Sequence, residues 1–159
     1  MAVNSEILDA LTTGIQSEVA AYVFYIEAIK LADMADFKTI LEDLAIEEKK
    51  HFQILERQYD SLVRSEKWIS TADVLKQDGL PEIDASMTEK HQALIESVGK
   101  LSTSLEIFNM ALKLESDSQE LFIKLAGSSE SEEAKKVFEH LAGFEEGHVK
   151  LIQNLINNL

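Results

Sequence analysis

Cysteine is missing from all 159 residues, which rules out disulfides, thiolate metal sites, iron–sulfur clusters and cysteine nucleophiles. Proline occurs once and glycine six times, too few for a sandwich of many short strands and turns. Basic residues are scarce as well. Fifteen Lys and Arg against 29 Asp and Glu leave a formal charge of −14, so nucleic acid and anionic membrane are excluded as partners. No apolar run approaches the ~20 residues that span a bilayer, and the opening MAVNSEILDALTTG has no basic segment leading into an apolar one. The expected location is therefore the cytoplasm.

What the chain does have is apolar residues, 45% of the total, at helical spacing. Leu8, Leu11, Ile15, Glu18, Tyr22, Tyr25 and Ile29 step by three and four, the seam of a first helix over about Ser5 to Ala32. Asp33 to Asp36 reads as a turn, with Asp36 as N-cap of a second helix running to about Val63. That helix has the seam Phe37, Leu41, Leu44, Glu48, His51, Leu55, Gln58 and Leu62. Periodicity is then lost, and residues 64–103 read as a long crossover with short helices near Ala72 to Lys76 and Thr88 to Val98, the latter stopping at Gly99.

Thr103 and Glu106 have the spacing of a capping box, opening a third long helix with the seam Leu105, Phe108, Leu112, Glu115, Gln119, Phe122 and Ala126. A fourth begins near Ser131 or Glu132, with the seam Ala134, Phe138, Leu141, Glu145, His148, Ile152, Leu155 and Leu159. The expected architecture is all-α: one domain over residues 1–159, a four-helix bundle of two helical hairpins.

The hairpins repeat each other. Glu18, Glu48 and His51 recur 97 positions later as Glu115, Glu145 and His148, and Leu44, Ala45 and Leu55 recur as Leu141, Ala142 and Ile152. The match includes packing residues as well as polar ones, the signature of internal duplication.

The repeated glutamates and histidines interrupt apolar seams, so they point inward. A buried ionised carboxylate without a partner is strongly unfavourable, and four together repel one another. No lysine or arginine lies on any seam; Lys49 and Lys50 fall off it. Something cationic belongs among the carboxylates. In a helix, residues three apart share a face, so Glu48 with His51, and Glu145 with His148, can each offer an oxygen and a nitrogen to one metal ion. Glu18 and Glu115 complete or bridge the site. Four carboxylates and two imidazoles suit two iron or manganese ions better than a closed structural zinc site, although zinc can substitute.

Glu47 and Glu146 adjoin these residues but point about 100° away around the helix, which reads as solvated charge. His91 and His140 lie off the seams and take no role. Tyr22 and Gln119 occupy matching seam positions, as packing or as hydrogen-bond partners of the site. Phe24, Phe108 and Phe138 read as core, and Trp68 as a cover for the bundle or an interface.

One glutamate from each of two helices plus E-x-x-H from each of the other two is the pattern of ferritin-like di-iron carboxylate proteins. Within that group, IQSEVAAYVFYIEAIKLA with EDLAIEEKKH resembles the first half of the rubrerythrins, and ALKLESDSQELFIKLA with EHLAGFEEGH their second half. The resemblance covers the four long helices and not the crossover. It implies two iron ions held by Glu18, Glu48, His51, Glu115, Glu145 and His148. It also implies a tyrosine close to the metals, Tyr25, whose counterpart in the second half is Phe122.

Two departures stand out. Rubrerythrins carry an additional carboxylate one turn after the third-helix glutamate, where this chain has Ser118. Their cysteine-bearing rubredoxin module is absent, so electrons are expected from a separate protein. The expected activity is that of a di-iron oxidoreductase reducing hydrogen peroxide or O2, working as a homodimer. The alternative is a ferroxidase for iron storage or handling. Which carboxylates bridge, Glu48 with Glu145 or Glu18 with Glu115, is open in the sequence.

Overall fold

The computed structural model describes residues 5–76, 79, 81–83 and 85–159. The first four residues of the leader reading, and Gln77, Asp78, Leu80 and Asp84 of the crossover, lie outside the described residues. The helices are α1 (Ser5–Ile29), α2 (Lys38–Ser65), α3 (Thr71–Leu75), α4 (Ala85–Thr88), α5 (Gln92–Gly99), α6 (Ser104–Ser128) and α7 (Glu132–Asn157). The four long ones form a ferritin-like bundle, and no strand occurs among the described residues. Nor is any helix there long and apolar enough to cross a membrane.

Each boundary has a local cause, and several differ from the sequence reading. α1 stops at Ile29, and the expected turn at 33–36 is a 3-10 helix over Ala32–Phe37. Asp36 is not the N-cap of α2: Phe37 holds that position without a side-chain hydrogen bond. Asp33 acts across the fold instead, its Oδ2 accepting from the backbone N–H of Ser104 and from the Ser104 hydroxyl (2.6 Å) at the start of α6. A carboxylate at a helix N-terminus meets unpaired N–H groups and the positive end of the helix dipole, so this contact clasps the two hairpins together.

Thr103 caps α6, Oγ1 accepting from the Glu106 N–H at 3.2 Å. The other half of the expected capping box is replaced: the Glu106 carboxylate accepts from the hydroxyls of Thr103 (3.0 Å) and Ser102 (3.1 Å). Ser131 caps α7 as expected, accepting from Ala134 N–H at 3.0 Å. α2 runs two residues further than its seam suggests and ends at Glu66, whose left-handed backbone (φ 56°) returns its N–H to the Leu62 carbonyl.

α1 packs along α2 and α6 along α7, with α1 also against α6 and α5 against α1. α2 and α7 are not among the closely packed pairs, because long polar side chains fill the space between them. Gly14 on α1 marks the opposite case. A Cβ there would lie 3.1 Å from both Leu55 Cδ1 and Phe122 Cε1, so the missing side chain lets three helices converge one turn before Glu18.

Two large apolar clusters fill the bundle, and a smaller one of Val19, Val23 and Phe52 lies against Ile83 and Ile95 of the crossover. Of the large clusters, one gathers Tyr25, Met34, Leu41, Leu44, Val98, Ile107, Phe108 and Ile152; the other gathers Leu11, Ile54, Leu55, Phe122, Val137, Phe138 and Leu141. The crossover completes both. Leu105 is 48% exposed, contrary to its seam reading, and Ile107 is buried instead, in the cluster that Val98 and Leu101 join from the crossover. Trp68, Ile69 and Val74 cover the second cluster, settling Trp68 on the bundle. Gln58 fastens this segment by holding both the N–H (2.9 Å) and the carbonyl of Ile69. Leu159 lies past the end of α7 and is exposed, so the fourth seam closes at Leu155, which packs on the core together with Ile156.

Candidate metal centre

Between the two large apolar clusters lies one polar layer. α1 supplies Glu18, α2 Glu48 and His51, α6 Glu115, α7 Glu145 and His148. All six residues singled out from the sequence meet there. The four glutamates and His51 are at most 1% exposed, and His148 is 9% exposed.

The layer has the two-fold pattern of the repeat. His51 Nδ1 lies 3.1 Å from Glu145 Oε1, 3.3 Å from Glu18 Oε2 and 3.7 Å from Glu48 Oε2. His148 Nδ1 lies 3.3 Å from Glu48 Oε1, 3.3 Å from Glu115 Oε2 and 3.6 Å from Glu145 Oε2. The two imidazoles stack, 5.4 Å apart and 18° from parallel. Two four-residue groups thus present one donor atom each within 4.8 Å: Glu18, Glu48, His51 and Glu145, and Glu48, Glu115, Glu145 and His148. Glu48 and Glu145 belong to both.

Both oxygens of Glu18, both of Glu48 and Oε2 of Glu145 are buried without a hydrogen-bond partner among the described residues. Five buried acceptor atoms in one layer would be a severe penalty for an ordinary core. They are the atoms a pair of divalent cations would need, so the donor set fits a metal centre.

The electrostatics agree. Burial pushes the Glu18 carboxyl well above the usual carboxylate range, and the charges of Glu145 and Glu48 push it further. Glu115 is raised by burial and by Glu145, with His148 pulling back. Burial acts to neutralise the imidazoles, but the surrounding carboxylates prevail. His51 is raised to about 10 through Glu145 and Glu48, and His148 to about 12 through Glu115, Glu145 and Glu48. Burial and the Glu48 charge favour a protonated Glu145, yet its interactions with Glu115, His148 and His51 hold it down at about 2. Protons on the imidazoles thus offset part of the carboxylate charge. Two divalent ions would balance four carboxylates completely and leave the imidazoles neutral.

The surrounding residues break the two-fold symmetry. Tyr25 Oη donates to Glu115 Oε1 at 2.6 Å, so the phenol from the first hairpin serves the glutamate of the second. Burial and the Glu115 charge keep that phenol protonated, well above its ordinary value. The repeat mate of Tyr25 is Phe122, which has no hydroxyl to offer Glu18, and Glu18 is the carboxylate left without hydrogen bonds on this layer's other side. Ser118 is buried, and its hydroxyl pairs with that of Ser17 at 2.7 Å.

Other expectations resolve plainly. The Tyr22 ring lies beneath Lys49 Nζ at 5.4 Å, and Gln119 lines an outer cavity between α6 and α7, so neither supports the polar layer by a described hydrogen bond. Glu146 is exposed and paired with Lys150 at 3.0 Å. His91 is half-buried, lowered by burial and by Lys90, and remote in the crossover; His140 is exposed on α7. Glu47 departs from its reading as plain solvated charge. It is half-exposed and paired with Lys50 at 3.0 Å, but one of its oxygens also lies within 4.8 Å of ring nitrogens of both His51 and His148. Its 100° offset from the seam hid it: a glutamate is long enough to reach back across the α2–α7 gap.

A helical bundle centred on a buried layer of four carboxylates and two imidazoles is a ferritin-like metal-binding bundle. The family model described as Rubrerythrin matches residues 9–156, and the chain belongs to the rubrerythrin family. Among solved structures, a hypothetical protein from Pyrococcus furiosus is similar, with 23% identity and a TM-score of 0.64 over 95% of this chain and 88% of that one; the likeness is one of fold. A search of curated proteins finds no match.

Proposed function

We propose that this protein holds two iron ions between α1, α2, α6 and α7 and acts as an oxidoreductase that reduces hydrogen peroxide or O2. The observation that carries the reading is the pair of donor groups sharing Glu48 and Glu145. In this reading Glu48 and Glu145 would serve both ions, with Glu18 and His51 at one end and Glu115 and His148 at the other. These residues would hold an iron pair, which when bound would supply two electrons for reducing an O–O bond.

The chain's own part is to place and to insulate. The helices hold the six side chains before any ion arrives, and the flanking apolar clusters exclude water and bulky substrates. Tyr25, with its proton retained, fixes one oxygen of Glu115 and keeps a hydroxyl donor beside the centre. Ser118, at the position where rubrerythrins carry an additional carboxylate, pairs with Ser17, which supports a ligand set of six residues. A separate protein supplies the electrons, and the protein works in the cytoplasm as a homodimer.

The test is anaerobic loading with Fe(II), followed by stopped-flow oxidation with hydrogen peroxide and with O2. Two irons per chain, oxidised within seconds by either, support the reading. Continued uptake well beyond two irons would replace it with iron storage or handling.

A further inference from the structure

A buried centre needs a way in, and the repeat offers two symmetry-related ones. Only one opens onto an inner residue. Between α2 and α7 the surface opens into a cavity of about 290 Å3 lined by Ile40, Asp43, Leu44, Glu47, His148 and Leu151. The repeat mates of these residues are Val137, His140, Leu141, Phe144, His51 and Ile54. Three of these are buried in the apolar cluster that Trp68 and Ile69 cover, and Phe144 lies flat on His51, 5.2 Å away and 14° from parallel. A cavity of about 240 Å3 opens on that side between the crossover and α7, but none of the six inner residues lines it, and the Phe144 ring covers His51.

Glu47 and Phe144 are repeat mates, so the first side has a carboxylate where the other has a ring. Asp43, one turn before Glu47, is exposed and lines the same mouth. Behind Glu47 come the ring nitrogens of His148 and His51, within 4.8 Å. Behind His148 Nδ1, at 3.3 Å, is Glu48 Oε1, buried and without a hydrogen-bond partner. Donor atoms therefore run without a break from solvent to the buried layer, and His148 is the most exposed of the six inner residues because it lines the mouth.

We propose that this cavity is the route by which divalent metal ions reach the buried centre, with Glu47 capturing the ion at the mouth and passing it to the histidines. This rests on the reading of the buried layer as a metal centre. The arriving cation displaces Lys50 from Glu47, a surface pair that is easily broken. Glu47 is a waypoint and not a resting site. Once Nδ1 of each imidazole is committed inward, Nε2 carries the proton and offers no lone pair to a third ion.

The experiment is stopped-flow binding of Co(II) to chelator-stripped protein, read by the visible absorption of the bound ion, with release to excess chelator measured separately. Glu47→Gln should slow uptake about tenfold, the lower end of what local charge does for a charged ligand, and slow release by a similar factor. Stoichiometry and affinity should stay at the parent values. Glu146→Gln, exposed on α7, should change nothing. Unchanged uptake in Glu47→Gln would overturn the route. So would weaker affinity with uptake preserved, since Glu47 would then only orient an imidazole. Failure of the unsubstituted protein to bind cobalt would remove the metal centre itself, an outcome distinct from either.

Discussion

Loading the centre with a divalent metal at pH 8 should release about two protons per chain from the imidazoles alone, because a metal-ligating imidazole must be neutral. Within the chain itself His51 is raised to about 10 and His148 to about 12, so both are essentially fully protonated at pH 8. Histidines at the ordinary value near 6.5 would be about 3% protonated there, and two of them would release only about 0.06 proton. The difference is roughly thirtyfold. Any proton still held by Glu18 or Glu115, both raised, adds to the count, so two is a lower bound.

Calorimetric titration of stripped protein with Co(II), in buffers of different ionisation enthalpy, counts these protons directly. Release of less than about half a proton would refute the carboxylate–imidazole coupling on which the charge argument rests. The same shifts set the stability of the chain without metal. Both histidines have folded-state values above their unfolded ones, so the stability they contribute is full below about 6.5 and is lost as pH rises through about 10 and then about 12. The stripped protein should melt progressively lower from pH 8 to 11, and metal should offset the loss.

Glu145→Ala, which removes a residue common to both donor groups, should lower bound metal by one ion or more, whereas Glu146→Ala should leave it unchanged; metal analysis after gel filtration distinguishes them. Tyr25→Phe removes the 2.6 Å hydrogen bond to Glu115 and should cost about 2 kcal/mol, the worth of a bond to a charged group, read in denaturant unfolding of stripped protein. Gly14→Ala forces a methyl to 3.1 Å from Leu55 and Phe122 and should destabilise by about 1–3 kcal/mol in the same assay, with metal stoichiometry retained.

The bundle and its six inner residues were legible because each is a matter of helical periodicity, and a charged residue on an apolar seam is conspicuous. The 97-residue repeat removed the remaining ambiguity of register. What was not legible depends on how helices meet. Asp33 caps a helix 71 residues away, and no local pattern encodes that partner. Leu105 keeps the seam spacing yet is exposed, while Ile107, two residues on, is buried beside Val98 and Leu101 of the crossover. Glu47 was set aside by its angle on α2, but the gap to α7 is wide and its side chain is long. Tyr25 was placed near the metals by resemblance; that it serves Glu115 and not the adjacent Glu18 follows from the packing of α1 on α6. The shared position of Glu48 and Glu145 likewise required the facing of α2 and α7.

The most direct measurement is the anomalous scattering of iron in crystals grown with Fe(II) in the absence of oxygen. Two peaks about 3.5–4 Å apart, each in contact with Glu48 and Glu145, are the expected result. A single peak, or iron found only on the acidic surface, would contradict the account.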